Sequence, residues 1–313
     1  MRFLNQATLC LLATAGLGQA HSWIEQLSNV APDGSYTSSF GYPRGFVDKG
    51  ITGYVQGSNT WVLPQHDAWI SREDLLCHPF QRVPHQSLNW PRLKSVPGAT
   101  VAMRYAENGH VTMPGGGKDK WGKPRLGGTV FVFGTSQPST QELLLNVLQW
   151  TRDGQGGDKR GRLLSAQNFD DERCYQPGNG MVLSGERLAK TPNPHPGQPG
   201  TQTDLLCETD VQLPLDVPTE EPYTLYWIWQ WPTAPGKDEG APKGKDEYYT
   251  SCIDVDMVKH ISSIQESATL MQQGSVASAV QGFSNRGAIT TDPLALYSNP
   301  AFHSPFSTAV MVP

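Results

Sequence analysis

This chain is short of charge: Asp, Glu, Lys and Arg make up 17% of its 313 residues, against about 25% in an average globular protein. That scarcity excludes a highly charged disordered chain. Positive charge is not in surplus either, with 24 Lys and Arg against 29 Asp and Glu. No global field therefore draws the chain to nucleic acid or to an anionic membrane. No apolar window approaches the ~20 residues needed to cross a bilayer, so no membrane span is expected. None of the five cysteines stands in a C-x-x-C pair, which argues against a zinc ribbon. G-x-S-x-G is absent; Gly134-Thr-Ser-Gln-Pro138 and Gly282-Phe-Ser-Asn-Arg286 both lack the closing glycine, leaving no nucleophile elbow. No Asn-x-Ser/Thr acceptor occurs, and no short motif nominates the paired carboxylates of a glycosidase.

What is abundant is turn chemistry. The chain holds 32 Gly and 25 Pro, above the average of roughly 7% and 5%, and no Gly-X-Y period organises them. Such a balance suits short strands and long loops better than a helical bundle.

The first 20 residues read as a secretory signal peptide. Met1-Arg2 supplies the positive end, Leu4 to Leu17 is mostly apolar, and Gly18-Gln19-Ala20 places small residues before a cleavage point. The mature protein is then secreted, extracellular, and begins at His21. Loss of Arg2 leaves 23 basic against 29 acidic residues, a net charge of -6. Cys10 departs with the leader, and Cys77, Cys174, Cys207 and Cys252 remain. An even count in an oxidising compartment implies two disulfides, with three possible connectivities.

Period-two alternation marks several strands. Val101, Met103 and Tyr105 share one face; Gly128 to Gly134 is a compact apolar run bounded by glycine; Pro222 to Trp231 and Tyr248 to Val258 are rich in aromatic and β-branched residues. Gln141 to Trp150 fits a strand or a short helix. Between them lie loops such as Pro114 to Gly117, Asp153 to Gly157, Pro192 to Gly200 and Pro232 to Gly244. The expected architecture is all-β: an immunoglobulin/fibronectin-III-like β-sandwich over 21–260, with long loops and two disulfides. Residues 261–313, rich in Ser, Ala, Gln and Thr, read as a polar disordered tail. A monomer is expected.

A mature chain that starts at His21 carries an α-amino group and an imidazole on one residue. These groups ordinarily titrate near pH 8 and 6.5, at about those values, so both can yield a proton to a metal near neutrality. One further imidazole gives a three-nitrogen site, and nitrogen donors in a tetragonal arrangement suit copper(II). Among the remaining histidines His110 is the leading candidate, because Glu107-Asn-Gly-His110 is a turn that lifts a side chain to the rim of the sheet. His78, beside Cys77 and Pro79, is expected to be structural; His78 and His66 are reserves. His195 lies in a Pro-Gly loop and His303 in the tail.

In the last strand Tyr249 shares a face with Ile253, Val255 and Met257, so the tyrosine stands at the rim of an apolar inner face. Tyr248 takes its place if the register slips by one. Cys252 falls on the other face with Asp254 and Asp256, and its partner is expected on a loop covering the outside of the sheet. In the Trp-rich strand Leu225, Trp227, Trp229 and Trp231 share one face, and Tyr226, Ile228 and Gln230 the other.

A leader cut before histidine, followed by a later Gly-His on a β-sandwich, resembles the lytic polysaccharide monooxygenases and their histidine brace. The resemblance runs in pieces from His21 to about His260: His21 to Gln26 with Gly41 to Gly45, Arg104 to His110, Tyr223 to Trp231, and Glu247 to Val255. It implies one copper ion held by His21 and His110, with Tyr249 on the copper axis and Gln230 placing the oxidant. It further implies a copper-dependent enzyme that takes electrons from an external donor, uses O2 or H2O2, and cleaves a chitin- or cellulose-like polysaccharide oxidatively. Trp23 and Tyr42 are candidates to stack on sugar faces. The alternative is a secreted copper-binding protein with the same brace, serving metal uptake or a cell-surface role without polysaccharide oxidation.

Overall fold

Alternating apolar runs pair into ten strands in the computed structural model, which describes residues 21–31, 36–112, 122–176, 182–190 and 204–261. They are β1 (Ile24–Val30), β2 (Tyr36–Gly41), β3 (Val62–Leu63), β4 (Leu93–Ser95), β5 (Thr100–Tyr105), β6 (Thr129–Thr135), β7 (Gly161–Asn168), β8 (Cys207–Gln212), β9 (Pro222–Gln230) and β10 (Tyr248–Met257). Among the described residues two short α-helices accompany them, α1 (Leu144–Val147) and α2 (Val182–Lys190). The leader, nearly all of the tail, and the Pro114–Gly117 and Pro192–Gly200 loops lie outside the described residues, as do His195 and His303.

One sheet has the order β2-β1-β5-β8; the other has the order β3-β10-β9-β6-β7, with β4 parallel to β10. All other pairs are antiparallel. The two sheets form the expected immunoglobulin-like sandwich. Leu27, Val101, Met103, Tyr105 and Val211 from the first sheet share a buried cluster with Val130, Val132, Leu225, Trp227, Trp229, Tyr249, Ile253 and Val255 from the second.

β9 is apolar on both faces, so its outer face must also be covered. A second buried cluster does this, joining Tyr226, Ile228, Phe131 and Phe133 to Ile70, Leu76, Leu144, Val147 and Trp150. The ambiguity of 141–150 resolves into both forms. Leu143 makes a bridge to Leu75, and the next residues wind into the single turn of α1.

Two disulfides form, Cys77–Cys252 and Cys174–Cys207, with Cα separations of 5.8 and 4.6 Å. Cys252 belongs to the outer cluster, and its partner sits on the covering layer, as strand alternation requires. Among the described residues no helix is long and apolar enough to cross a membrane.

Candidate metal centre

The site is assembled where β1 begins and β5 ends. Antiparallel pairing sets Ile24 opposite Tyr105, so the residues before Ile24 run alongside the turn that follows β5. Ser22 Oγ donates to the Ala106 carbonyl at 2.8 Å, and Ile24 N–H donates to Ser251 Oγ on β10 at 3.1 Å. Asn108 Nδ2 donates to the His21 carbonyl.

The turn itself is written in Glu107-Asn-Gly-His110. Asn108 and Gly109 have φ of 44° and 83°, the pair of positive values that Asn-Gly favours in a type I′ turn. His110 N–H closes it on the Glu107 carbonyl at 2.9 Å. The Glu107 carboxylate is buried and accepts from Val111 N–H at 2.8 Å, Thr112 N–H at 3.3 Å, the Thr112 hydroxyl and Gln176 N–H at 3.1 Å. It therefore fixes the loop that carries His110.

His110 is 1% exposed and set edge-on among aromatic rings. Its ring centroid is 4.1 Å from Trp231, 4.5 Å from Trp229 and 6.1 Å from Tyr249. His21, partly exposed, meets Tyr249 edge-on at 5.9 Å, and its Nδ1 lies 3.3 Å from Gln56 Oε1. The two imidazoles thus converge on one phenol ring, at interplanar angles of 68° and 69°. Tyr249 is held in turn by Trp229, its partner across β9 and β10, stacked at 4.6 Å.

Below the phenol lies a charged pair that the sequence does not advertise. Tyr249 Oη donates to Glu247 Oε1 at 2.6 Å, and Lys123 Nζ donates to Glu247 Oε2 at 2.7 Å. The same ammonium donates to the Trp231 carbonyl at 3.0 Å and sits 3.8 Å from the centroid of the Trp231 ring. Burial pushes the Tyr249 phenol well above the usual tyrosine range, and the Glu247 charge adds to the effect, so the phenol keeps its proton. Burial alone would raise Glu247, but the Lys123 ammonium and the Tyr249 hydroxyl outweigh it and hold the carboxyl below its ordinary value. Burial also lowers Lys123, against the pull of Glu247.

Gln230 stands on β9 one residue beyond Trp229, and so on the opposite face of that strand. It pairs with Tyr248 across the strands, donates to the Tyr248 hydroxyl at 2.6 Å, and has the face parity of Tyr226 and Ile228. Tyr249 rather than Tyr248 faces the histidines, so the strand register needs no slip. His78 is structural: its Nδ1 accepts from Phe80 N–H at 3.1 Å and Nε2 lies 3.1 Å from the Gly57 carbonyl. His66 is exposed and lines a cleft with Trp61, Leu63 and Asp67.

Trp23 and Tyr42 do not fill the stacking role expected of them. Both are buried, at 2% and 5% exposure, and offer no face to a sugar. Lys49 Nζ lies 4.8 Å over the Trp23 ring while pairing with Glu25, and Tyr42 packs on Phe46 and Trp90 at 5.2 and 4.8 Å. Asp171, Cys174 and Cys207 also cluster, but the disulfide consumes both sulfurs. Asp171 instead accepts backbone N–H bonds from Arg173, Cys174 and Glu208 at 2.9, 2.8 and 3.0 Å.

The class defined by fold and site is a two-sheet β-sandwich with paired histidines converging on a rim tyrosine. The chain belongs to the family described as "Domain of unknown function (DUF7492)", which it matches over residues 18–281. No curated protein matches the sequence. Among solved structures, a cellulose-active polysaccharide monooxygenase from M. thermophila is 13% identical, with TM-score 0.30, covering 82% of this chain and 85% of its own. CvAA9A is 12% identical at TM-score 0.33, covering 79% and 83%. A glycoside hydrolase family 61 member, Cel61B from Hypocrea jecorina, is 12% identical at TM-score 0.33, covering 82% and 87%. Likenesses this distant carry no inference about chemistry, which rests on the side chains themselves.

Proposed function

We propose that the chain, cut after Ala20, is a secreted copper-dependent monooxygenase that oxidatively cleaves glycosidic bonds in a chitin- or cellulose-like polysaccharide. The observation that supports this reading is the convergence of His21 and His110 on Tyr249. The residues fit copper by their donor chemistry. Two imidazoles and the α-amino group freed by cleavage make three nitrogen donors, the set that suits copper(II). Once bound, copper supplies the one-electron and oxygen chemistry needed to attack a sugar C–H bond, with an external electron donor and O2 or H2O2.

The protein's own part is positional. The Asn-Gly turn and the Glu107 carboxylate hold His110, while Asn108 and Ser22 hold the chain at His21. Tyr249 closes one side of the site with a phenol that stays protonated, and the Lys123–Glu247 pair fixes that phenol. Gln230 donates to the hydroxyl of Tyr248, the residue before Tyr249.

Calorimetry on the chain beginning at His21 should show one copper(II) site. Extending the N-terminus by one residue should weaken it by at least about tenfold, the 1.4 kcal/mol of one decade. His110→Ala should abolish the three-nitrogen signature in electron paramagnetic resonance. Unchanged affinity in the extended chain would sink the brace. With copper and reductant present, oxidised oligosaccharides from chitin, cellulose, xylan or starch decide for the enzyme; silence across that panel decides for copper binding alone.

A further inference from the structure

The segment after Trp61 leaves the edge of the six-stranded sheet at β3 and folds back to enclose a cleft of about 220 Å³. Two indoles, Trp61 and Trp69, line it together with Asp67, Glu73, Asp74 and Arg82. Sites for drug-sized molecules run from roughly 300 to 1,000 Å³, so this one is the size of a single ring.

Its walls are held in place. Trp61 Nε1–H donates to the Leu75 carbonyl at 2.9 Å, Asp246 N–H donates to the Ala68 carbonyl at 2.7 Å, and the Asp246 carboxylate accepts from Ile70 N–H at 2.9 Å.

We infer that this cleft holds one pyranose ring of a glycan chain. A pyranose is amphipathic: its C–H face suits an indole, and its hydroxyls donate to carboxylates. Three carboxylates against one guanidinium disfavour a phosphate or any other anion. The strand that carries its Leu63, β3, runs beside β10, which carries Tyr249. Val62 pairs with Tyr249 across β3 and β10. Trp61 meets the His78 ring edge-on at 5.6 Å; His78 Nε2 lies 3.1 Å from the Gly57 carbonyl, and the preceding Gln56 reaches His21. With Trp23 and Tyr42 buried, the partly exposed Trp69 takes the stacking role, while Trp61, with the Arg82 guanidinium 5.8 Å over its ring, forms the wall beside it. The inference rests on the proposed function for its ligand class and extends it to a site that function does not itself require.

The test titrates the chain beginning at His21, with and without copper, with hexasaccharides of β-1,4-linked glucose, N-acetylglucosamine and glucosamine. At least one should bind, naming the sugar, and Trp69→Ala should weaken it by about tenfold or more. Copper affinity and the melting temperature should hold. Asp67→Asn changes only an exposed side chain and should weaken the same ligand to a smaller degree, which keeps the test valid if Trp69→Ala unfolds. Failure of all three sugars, or binding unaltered by both variants, overturns the subsite. Copper affinity read on the same samples separates the two ideas: a silent cleft with intact copper binding leaves the metal reading standing, and a sugar bound by a chain that takes no copper does the reverse.

Discussion

Asp246 is a single residue whose environment sets a measurable pH dependence. Its side chain is buried beside Asp74, and burial above all pushes its carboxyl up to about 6, with the Ile70 N–H bond opposing. In the unfolded chain an aspartate titrates near 3.9, at about that value, so the folded state binds the proton more firmly. Its stabilising contribution is therefore complete below about pH 4 and is lost as pH rises through about 6. Two pH units correspond to about 3 kcal/mol. Asp246→Asn keeps an acceptor for Ile70 without the charge, and urea unfolding should show the variant gaining on the parent between pH 4 and 7. A stability difference that stays flat with pH would remove Asp246 as the cause. Nothing in the sequence separates this aspartate from its neighbours. The same holds for Lys123, which reaches Glu247 across 124 residues. Residues brought together by distant chain segments leave no local pattern.

At the scale of elements, the legible parts are those built from short-range rules. Strand alternation puts Tyr249, Ile253, Val255 and Met257 on one face and Cys252 on the other, and the buried clusters divide in that way. Asn-Gly before His110 signals a turn at the rim. β8 is harder to read: Cys-Glu-Thr-Asp-Val-Gln alternates, with Cys207, Thr209 and Val211 on one face and Glu208, Asp210 and Gln212 on the other, but its acidic residues disfavour strands and mask the pattern; Glu208, Thr209 and Asp210 are nonetheless buried. The turn invites a direct trial. Gly109→Ala forces a Cβ into the left-handed region at φ 83°, which costs about 1–2 kcal/mol. The denaturation midpoint should fall, and copper affinity should fall with it because His110 is displaced. Asn108→Gly tolerates the backbone but loses the bond to the His21 carbonyl, so it should weaken copper with a smaller loss of stability. Equal midpoints for Gly109→Ala and the parent would contradict a strained turn.

Across the whole molecule, the two disulfides fasten two different layers. Cys77–Cys252 spans 175 residues and ties the segment beneath the Trp61–Trp69 cleft to the outer face of β10. Cys174–Cys207 spans 33 residues; Cys207 pairs with Tyr105, and Gln176 N–H binds the Glu107 carboxylate that holds His110. Loop closure in the unfolded chain predicts about 5 kcal/mol of stabilisation for the long bridge and about 4 for the short one, as upper values. Stability alone separates them poorly, but their neighbours separate them well. Removing the long bridge by Cys77→Ala with Cys252→Ala should lower the melting temperature most and impair sugar binding while copper affinity persists. Removing the short bridge by Cys174→Ala with Cys207→Ala should loosen the His110 turn and weaken copper while the cleft keeps its ligand. Calorimetry with copper and with the bound hexasaccharide reads both effects on each folded variant. Parallel losses of copper and sugar in both variants would mean that the layers respond as one unit, and that the cleft and the metal centre are not separately supported.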